Sequence, residues 1–186
     1  MHHSVNEYMS TQLDIIARTP LDRIPEILAL FQEVRKERRH VYVFGNGGSG
    51  STASHFACDL GKGTVRADKP RFKVTALQDN LAMFSAYSND MGYDKVFVEP
   101  LITLAEPGDI AIAFSGSGNS PNVLRAIEEA NQRHLHTIGF SGFQGGALKD
   151  LAQFSVVVPC DQMDQIEDVH LMLAHAICRA FKLEHE

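Results

Sequence analysis

Two stretches of this chain, Gly45-Asn46-Gly47-Gly48-Ser49 and Ser115-Gly116-Ser117-Gly118-Asn119-Ser120, have the residue types to hold an anion without any Lys or Arg. Glycines let a backbone approach a ligand with its N–H groups turned inward, serine hydroxyls supply further donors, and a helix beginning there adds partial positive charge. Each stretch follows an apolar run of strand character (40–44 and 109–114) and precedes a run with helical periodicity, so each falls where a strand ends and a helix begins. Two such loops predict one phosphorylated, hydroxyl-rich ligand. Gly45, Gly47 and Gly50 also spell Gly-x-Gly-x-x-Gly, the dinucleotide fingerprint. That fingerprint wants an acidic residue about 20 positions on, at the end of the next strand. Asp68 comes before the predicted strand at 71–77, and Asp79 comes late. A nucleotide P-loop fails because Ser51-Thr52 stand where it requires a Lys.

The titratable groups near these loops suit proton transfer. His55 and Asp59 are spaced i, i+4 on the helical run after the first loop, so they share a face. The last helical run carries Glu167, Asp168, His170 and His175. On an ideal helix Glu167 and His175 point about 80° apart, close enough in angle to serve one site, whereas His170 and His175 diverge by about 140°. Asp168 is nearly in line with His175, and periodicity leaves both carboxylates open. One carboxylate and one imidazole suffice to interconvert an aldose and a ketose: a base moves a proton between C1 and C2 through an enediol while an acid serves the oxygens.

The elements that must position these groups read as α/β. Five continuously apolar runs (41–44, 72–77, 110–114, 137–140 and 154–158) alternate with helical runs at 51–60, 81–104 with a break near Gly92, 120–133, a short one near 146–151, and 163–183. Strands without polar alternation indicate a parallel sheet covered on both faces. Residues 5–39 form a helix pair or a bent helix interrupted at Thr19-Pro20, with no obvious core of its own to cover, so its apolar face is expected against another subunit. The final helix is apolar around much of its girth, which points to the same kind of burial. At 186 residues the chain fits a single domain, 1–186, burying roughly two-thirds of its unfolded surface.

Net charge is −6 and the pI is near 5.8. The one basic run, Arg35-Lys36-Glu37-Arg38-Arg39, reads as a solvated helix end, so no nucleic-acid partner is expected. Three scattered cysteines, Cys58, Cys160 and Cys178, without a Cys-x-x-Cys pair, suggest a reducing, cytoplasmic setting. No apolar stretch approaches the length of a membrane span, and the first residues lack the apolar core of a signal peptide.

Gly45 to Ser49, His55-Phe56-Ala57, Asn89-Asp90, Ser115 to Ser120, and Ile166 with His170 and His175 occur in that order. Together they resemble the sugar isomerase (SIS) domain, and within it the phosphoheptose isomerases, which convert sedoheptulose 7-phosphate to D-glycero-D-manno-heptose 7-phosphate. The resemblance implies a five-stranded parallel sheet flanked by helices in a three-layer sandwich, with an N-terminal helical extension and a homotetramer whose active sites lie between subunits. It implies that Ser49, Ser115, Ser117 and Ser120, with the backbone of Gly47, Gly48 and Gly116, hold phosphate, and that Asn46 and Asp90 contact sugar hydroxyls. Asp59 stands where the family has a glutamate base that is also sometimes a zinc ligand, and Glu167 where it has a glutamine. His175 then serves as the acid. His55, Asp59, Glu167 and His175 offer two imidazoles and two carboxylates, a donor set that zinc accepts. Some related SIS proteins are catalytically silent modules that bind a phosphosugar or a protein partner such as a replication initiator, and that is the alternative reading.

Overall fold

The structure is a computed structural model that describes residues 2–183. Among the described residues there are five strands and eight α-helices. Helices α1 (His2–Arg18) and α2 (Ile24–Glu37) precede β1 (His40–Gly45), α3 (Gly47–Cys58) and a π-helical turn at Asp59–Gly63. Then come β2 (Lys73–Ala76), α4 (Leu81–Asp90), a 3-10 turn at Tyr93–Lys95 and α5 (Val98–Leu104). The remainder is β3 (Ile110–Ser115), α6 (Pro121–Gln132), β4 (His136–Ser141), α7 (Gly146–Leu151), β5 (Phe154–Val157) and α8 (Met163–Lys182). The strands form one parallel sheet in the order β2-β1-β3-β4-β5.

Alternation along each strand feeds two separate cores. Val41, Val43, Ile110, Ile112 and Phe114 face α2, α3 and α8, while Tyr42, Phe44, Ala111 and Ala113 face α5, α6 and α7. Both faces are therefore apolar, which is why these strands read as continuous hydrophobic runs. Phe31 of α2 sits at the centre of the first core, with its ring 6.1 Å from Phe56, 6.0 Å from Phe72 and 5.9 Å from Phe181. Edge-on and tilted pairs of this kind add about 0.5–1.5 kcal/mol each beyond the area they bury.

Three expectations are corrected here. Helix α2 does have a core within its own chain: Ile27, Leu30, Phe31 and Val34 are buried beside the sheet. Most of the apolar face of α8 is covered in the same core, through Ile166, Val169, Leu173, Ile177 and Phe181. What remains exposed is narrower, chiefly Val5, Met9 and Leu13 at i, i+4 spacing on α1, with Leu21 and Met172. The basic run is not wholly solvated either. Arg35 is buried, donating from Nε to the Pro70 carbonyl at 2.6 Å and from Nη2 to the Thr64 carbonyl at 3.2 Å, with its guanidinium 4.9 Å over the Phe72 ring.

Helix α1 is tied to the first half of α8, beside the groups of interest. Tyr8 Oη donates to Asp168 at 2.7 Å, and Gln12 Nε2 donates to the Gln165 carbonyl at 3.2 Å. The three cysteines are free thiols. None of the described helices is long and apolar enough to cross a membrane.

Candidate active site

The chain runs from β1 to β2 on one side of the sheet and then returns to place β3 on the other side of β1. The order therefore reverses between β1 and β3, and ligands of open α/β sheets bind outside the strand ends at such a reversal. Both glycine–serine stretches lie there, because β1 ends at Gly45 beside Phe114 and β3 ends at Ser115. They line one cavity of about 250 Å³ with Asn46, Gly47, Gly48, Ser49, Phe114, Ser115, Gly116, Ser117, Ser120, Met163 and Glu167.

The first stretch is less of a loop than its composition suggests. Helix α3 already begins at Gly47, and its first ladder bond runs from Gly50 N–H to the Asn46 carbonyl at 3.1 Å. The amides of Gly47, Gly48 and Ser49 thus lie ahead of the ladder, without a partner in their own helix. Asn46 occupies the N-cap position without capping. Its amide is engaged elsewhere, donating to Asn122 Oδ1 at 2.9 Å while its Oδ1 accepts from Asn122 Nδ2 at 2.8 Å and from Tyr93 Oη at 2.8 Å. In the second stretch Ser115 Oγ donates to Ser120 Oγ at 3.4 Å, and Gly118 N–H bonds the Ser115 carbonyl at 2.9 Å. Gly118 adopts φ +65, and a Cβ there would run into the Gly145 backbone, so the turn requires glycine.

Further along α3 and its π-helical turn lies a second group. His55 Nε2 is 3.1 Å from His175 Nε2 and 3.4 Å from Asp59 Oδ2, and His175 Nε2 is 3.6 Å from that oxygen. These donor atoms all lie within 4.8 Å of one another. The edge of a tetrahedron with zinc–nitrogen bonds of about 2.0–2.1 Å is about 3.3–3.4 Å, so the three atoms already have the spacing of three ligands around one ion. About half of each imidazole is exposed. The π-helical turn starts at Asp59 itself, a local widening of the kind often found at functional sites.

Glu167 does not join this group: of the four residues expected together, the structure brings His55, Asp59 and His175 within reach of one another and leaves Glu167 apart. Eight residues separate it from His175 on one helix, a rise of about 12 Å, which angular periodicity alone does not register. Its carboxylate instead lies over Gly48, where a Cβ would overlap it, and accepts the Ser49 N–H. Partial burial, and then the carboxylates of Asp168 and Asp164, hold its pKa above the ordinary value despite that amide bond. Asp90 is not among the residues lining the cavity; it ends α4 with Oδ1 accepting from Asn89 Nδ2 at 2.7 Å. His170 is fully buried, with Nε2 3.1 Å from the Ser141 carbonyl and its ring against Phe114 and Phe140. Asn122, Tyr93 and Met163 belong to the site without having been expected from sequence. Asn122 and Tyr93 lie outside the cavity lining and hydrogen-bond Asn46, a long-range pairing that leaves no local pattern.

Comparison with known proteins agrees with this geometry. Residues 6–142 match the model of the SIS domain family. Over 146 residues the chain is 38% identical to the phosphoheptose isomerase of a Nitratiruptor species, covering 78% of each chain. It is 37% identical over 144 residues to that of a Bradyrhizobium species, covering 77% of this chain and 72% of the relative. A solved phosphoheptose isomerase from Francisella tularensis superposes with a TM-score of 0.90 at 26% identity, over 97% of both chains. The sheet order, the two serine-bearing turns and these relatives agree: the chain belongs to the SIS-domain family, among the phosphoheptose isomerases.

Proposed function

We propose that the chain, acting as one domain, is a phosphosugar aldose–ketose isomerase whose substrate is sedoheptulose 7-phosphate and whose product is D-glycero-D-manno-heptose 7-phosphate. One observation carries the reading: a polar cavity free of Lys and Arg among its lining residues, and a His55–Asp59–His175 group, lie at opposite ends of the line along which α3 packs on α8. A phosphate accepts hydrogen bonds from the amides at the start of α3 and from Ser49, Ser115, Ser117 and Ser120. Asn46, held by Asn122 and Tyr93, keeps its second Nδ2 hydrogen for a sugar hydroxyl beside that phosphate seat.

For the chemistry, the Asp59 carboxylate takes a proton from C1 of the ketose, exchanges it with solvent and delivers a proton to C2, giving the aldose through an enediol. His175 moves the hydroxyl proton from O1 to O2, and His55, in contact with both, fixes their orientation. These three side chains would also hold zinc, leaving a fourth position open to the substrate. A bound divalent ion would supply polarisation of the carbonyl and the neighbouring hydroxyl oxygen.

The active site is assembled between subunits of a homo-oligomer, the seat of one protomer meeting the His55–Asp59–His175 group of another. Three features support this. The two parts are about 12 Å apart along α8 within one chain, the imidazoles are half exposed, and the Val5–Met9–Leu13 stripe offers an apolar face. The direct test is incubation with sedoheptulose 7-phosphate in D2O. Isomerisation with solvent deuterium entering at C2 of the aldose is expected. Binding without exchange would instead identify a silent phosphosugar module.

A further inference from the structure

We propose that Glu167 is an internal competitor for the phosphate seat, its carboxylate lying against Gly48 and accepting the first-turn Ser49 amide of α3 that a ligand's phosphate has to use. The inference rests on the phosphosugar reading above and adds a residue that sets how tightly this chain takes a bare anion.

Four observations converge on it. The Glu167 carboxylate lies against Gly48, in space that any side chain there would fill, and accepts the Ser49 N–H. It lines the same cavity as Ser115, Ser117 and Ser120, so it is inside the seat and not beside it. Helix α3 has no cap from its own N-cap residue, because the Asn46 side chain is committed to Asn122 and Tyr93; Glu167 supplies the missing acceptor from another helix. Finally, no Lys or Arg lines the cavity among the described residues, so nothing there offsets a carboxylate facing a phosphate. An anion held by one amide and a ligand that needs the same amide cannot both be fully bonded, and their charges repel at short range. A phosphosugar can displace Glu167 with the help of its hydroxyl contacts. Inorganic phosphate has only the seat itself.

The test is calorimetric titration of inorganic phosphate into the full chain and four variants: Glu167→Gln, Glu167→Ala, Asp168→Asn and Ser117→Ala. Both Glu167 variants are expected to tighten phosphate binding at least about tenfold, a modest share of the repulsion between two unit charges a few ångströms apart. Asp168, whose carboxylate accepts from Tyr8 on α1, should change it less than about twofold when made Asn, and Ser117→Ala should weaken it. Unchanged or weaker binding in both Glu167 variants, with Ser117→Ala still weakening, overturns the competitor and leaves the phosphate seat standing. Equal tightening by Asp168→Asn overturns it too, because the effect is then overall charge. Indifference to Ser117→Ala, with no phosphate bound by any form, removes the seat and both readings together.

Discussion

Nε2 of His175 lies 3.1 Å from Nε2 of His55 across the line where α8 packs on α3, although 120 residues separate them. Two imidazole nitrogens this close share one hydrogen or both turn to a third partner, and Asp59 stands within 3.6 Å of each. The expected outcome is one zinc per chain. His55→Ala and His175→Ala should each lower zinc affinity at least about a hundredfold, and chelation should lower both activity and melting temperature. Competition against a chromophoric chelator measures the first, and calorimetry with and without chelator the second.

Loss of a seat hydroxyl should weaken the ligand without unfolding the chain. Ser117→Ala or Ser120→Ala removes a hydrogen bond to a charged group, worth about 1.5–3 kcal/mol, or roughly ten- to 150-fold in phosphosugar affinity. Titration calorimetry with the substrate decides it; full affinity in both variants would place the phosphate elsewhere.

A site shared between subunits should show complementation. Ser117→Ala damages only the seat and Asp59→Asn only the proton-transfer group, so in a mixed pair one of the two sites recovers both intact halves. Co-expressed variants should therefore regain about one quarter of wild-type activity, since half of randomly formed pairs are mixed and half their sites are repaired. If the mixture is no more active than its parts, each site is contained in one chain.

His170 should make the fold acid-sensitive. Burial lowers its pKa from 6.5 to about 4, with the Ser141 carbonyl opposing the shift. Between those values the unfolded chain binds a proton that the folded chain refuses, so stability is complete above about pH 6.5 and falls as pH drops toward 4. The loss is of the order of 3 kcal/mol at 1.36 kcal/mol per unit. Urea unfolding at pH 7, 5.5 and 4.5 measures it, and His170→Gln should flatten the slope across that window.

Much of the fold was legible because its signals are local. All five strands lie where the predicted runs place them, although β2, with Lys73 exposed, is not continuously apolar, and the parallel order follows from helices separating them. The two stretches at 45–49 and 115–120 were legible as strand-to-helix junctions, and the structure brings both to one cavity. His55 and Asp59 were legible as a pair because i, i+4 is a property of one helix.

Tertiary structure decided what depends on translation along an element and on partners distant in sequence. Angular spacing placed Glu167 and His175 at one site, but a helix rises as it turns, and about 12 Å of rise sends Glu167 to the start of α3 beside Ser49 and His175 to His55 and Asp59. The interior position of Arg35, which composition alone assigned to solvent, exists because the Thr64 and Pro70 carbonyls arrive from a loop after α3. The orientation of Asn46 likewise depends on Asn122 and Tyr93, whose amide and hydroxyl meet it only in the folded chain. Residue type and period determine which chemistry this chain can carry, whereas the docking of α8 on α3 determines which groups meet, because side-chain reach is short compared with the length of a helix.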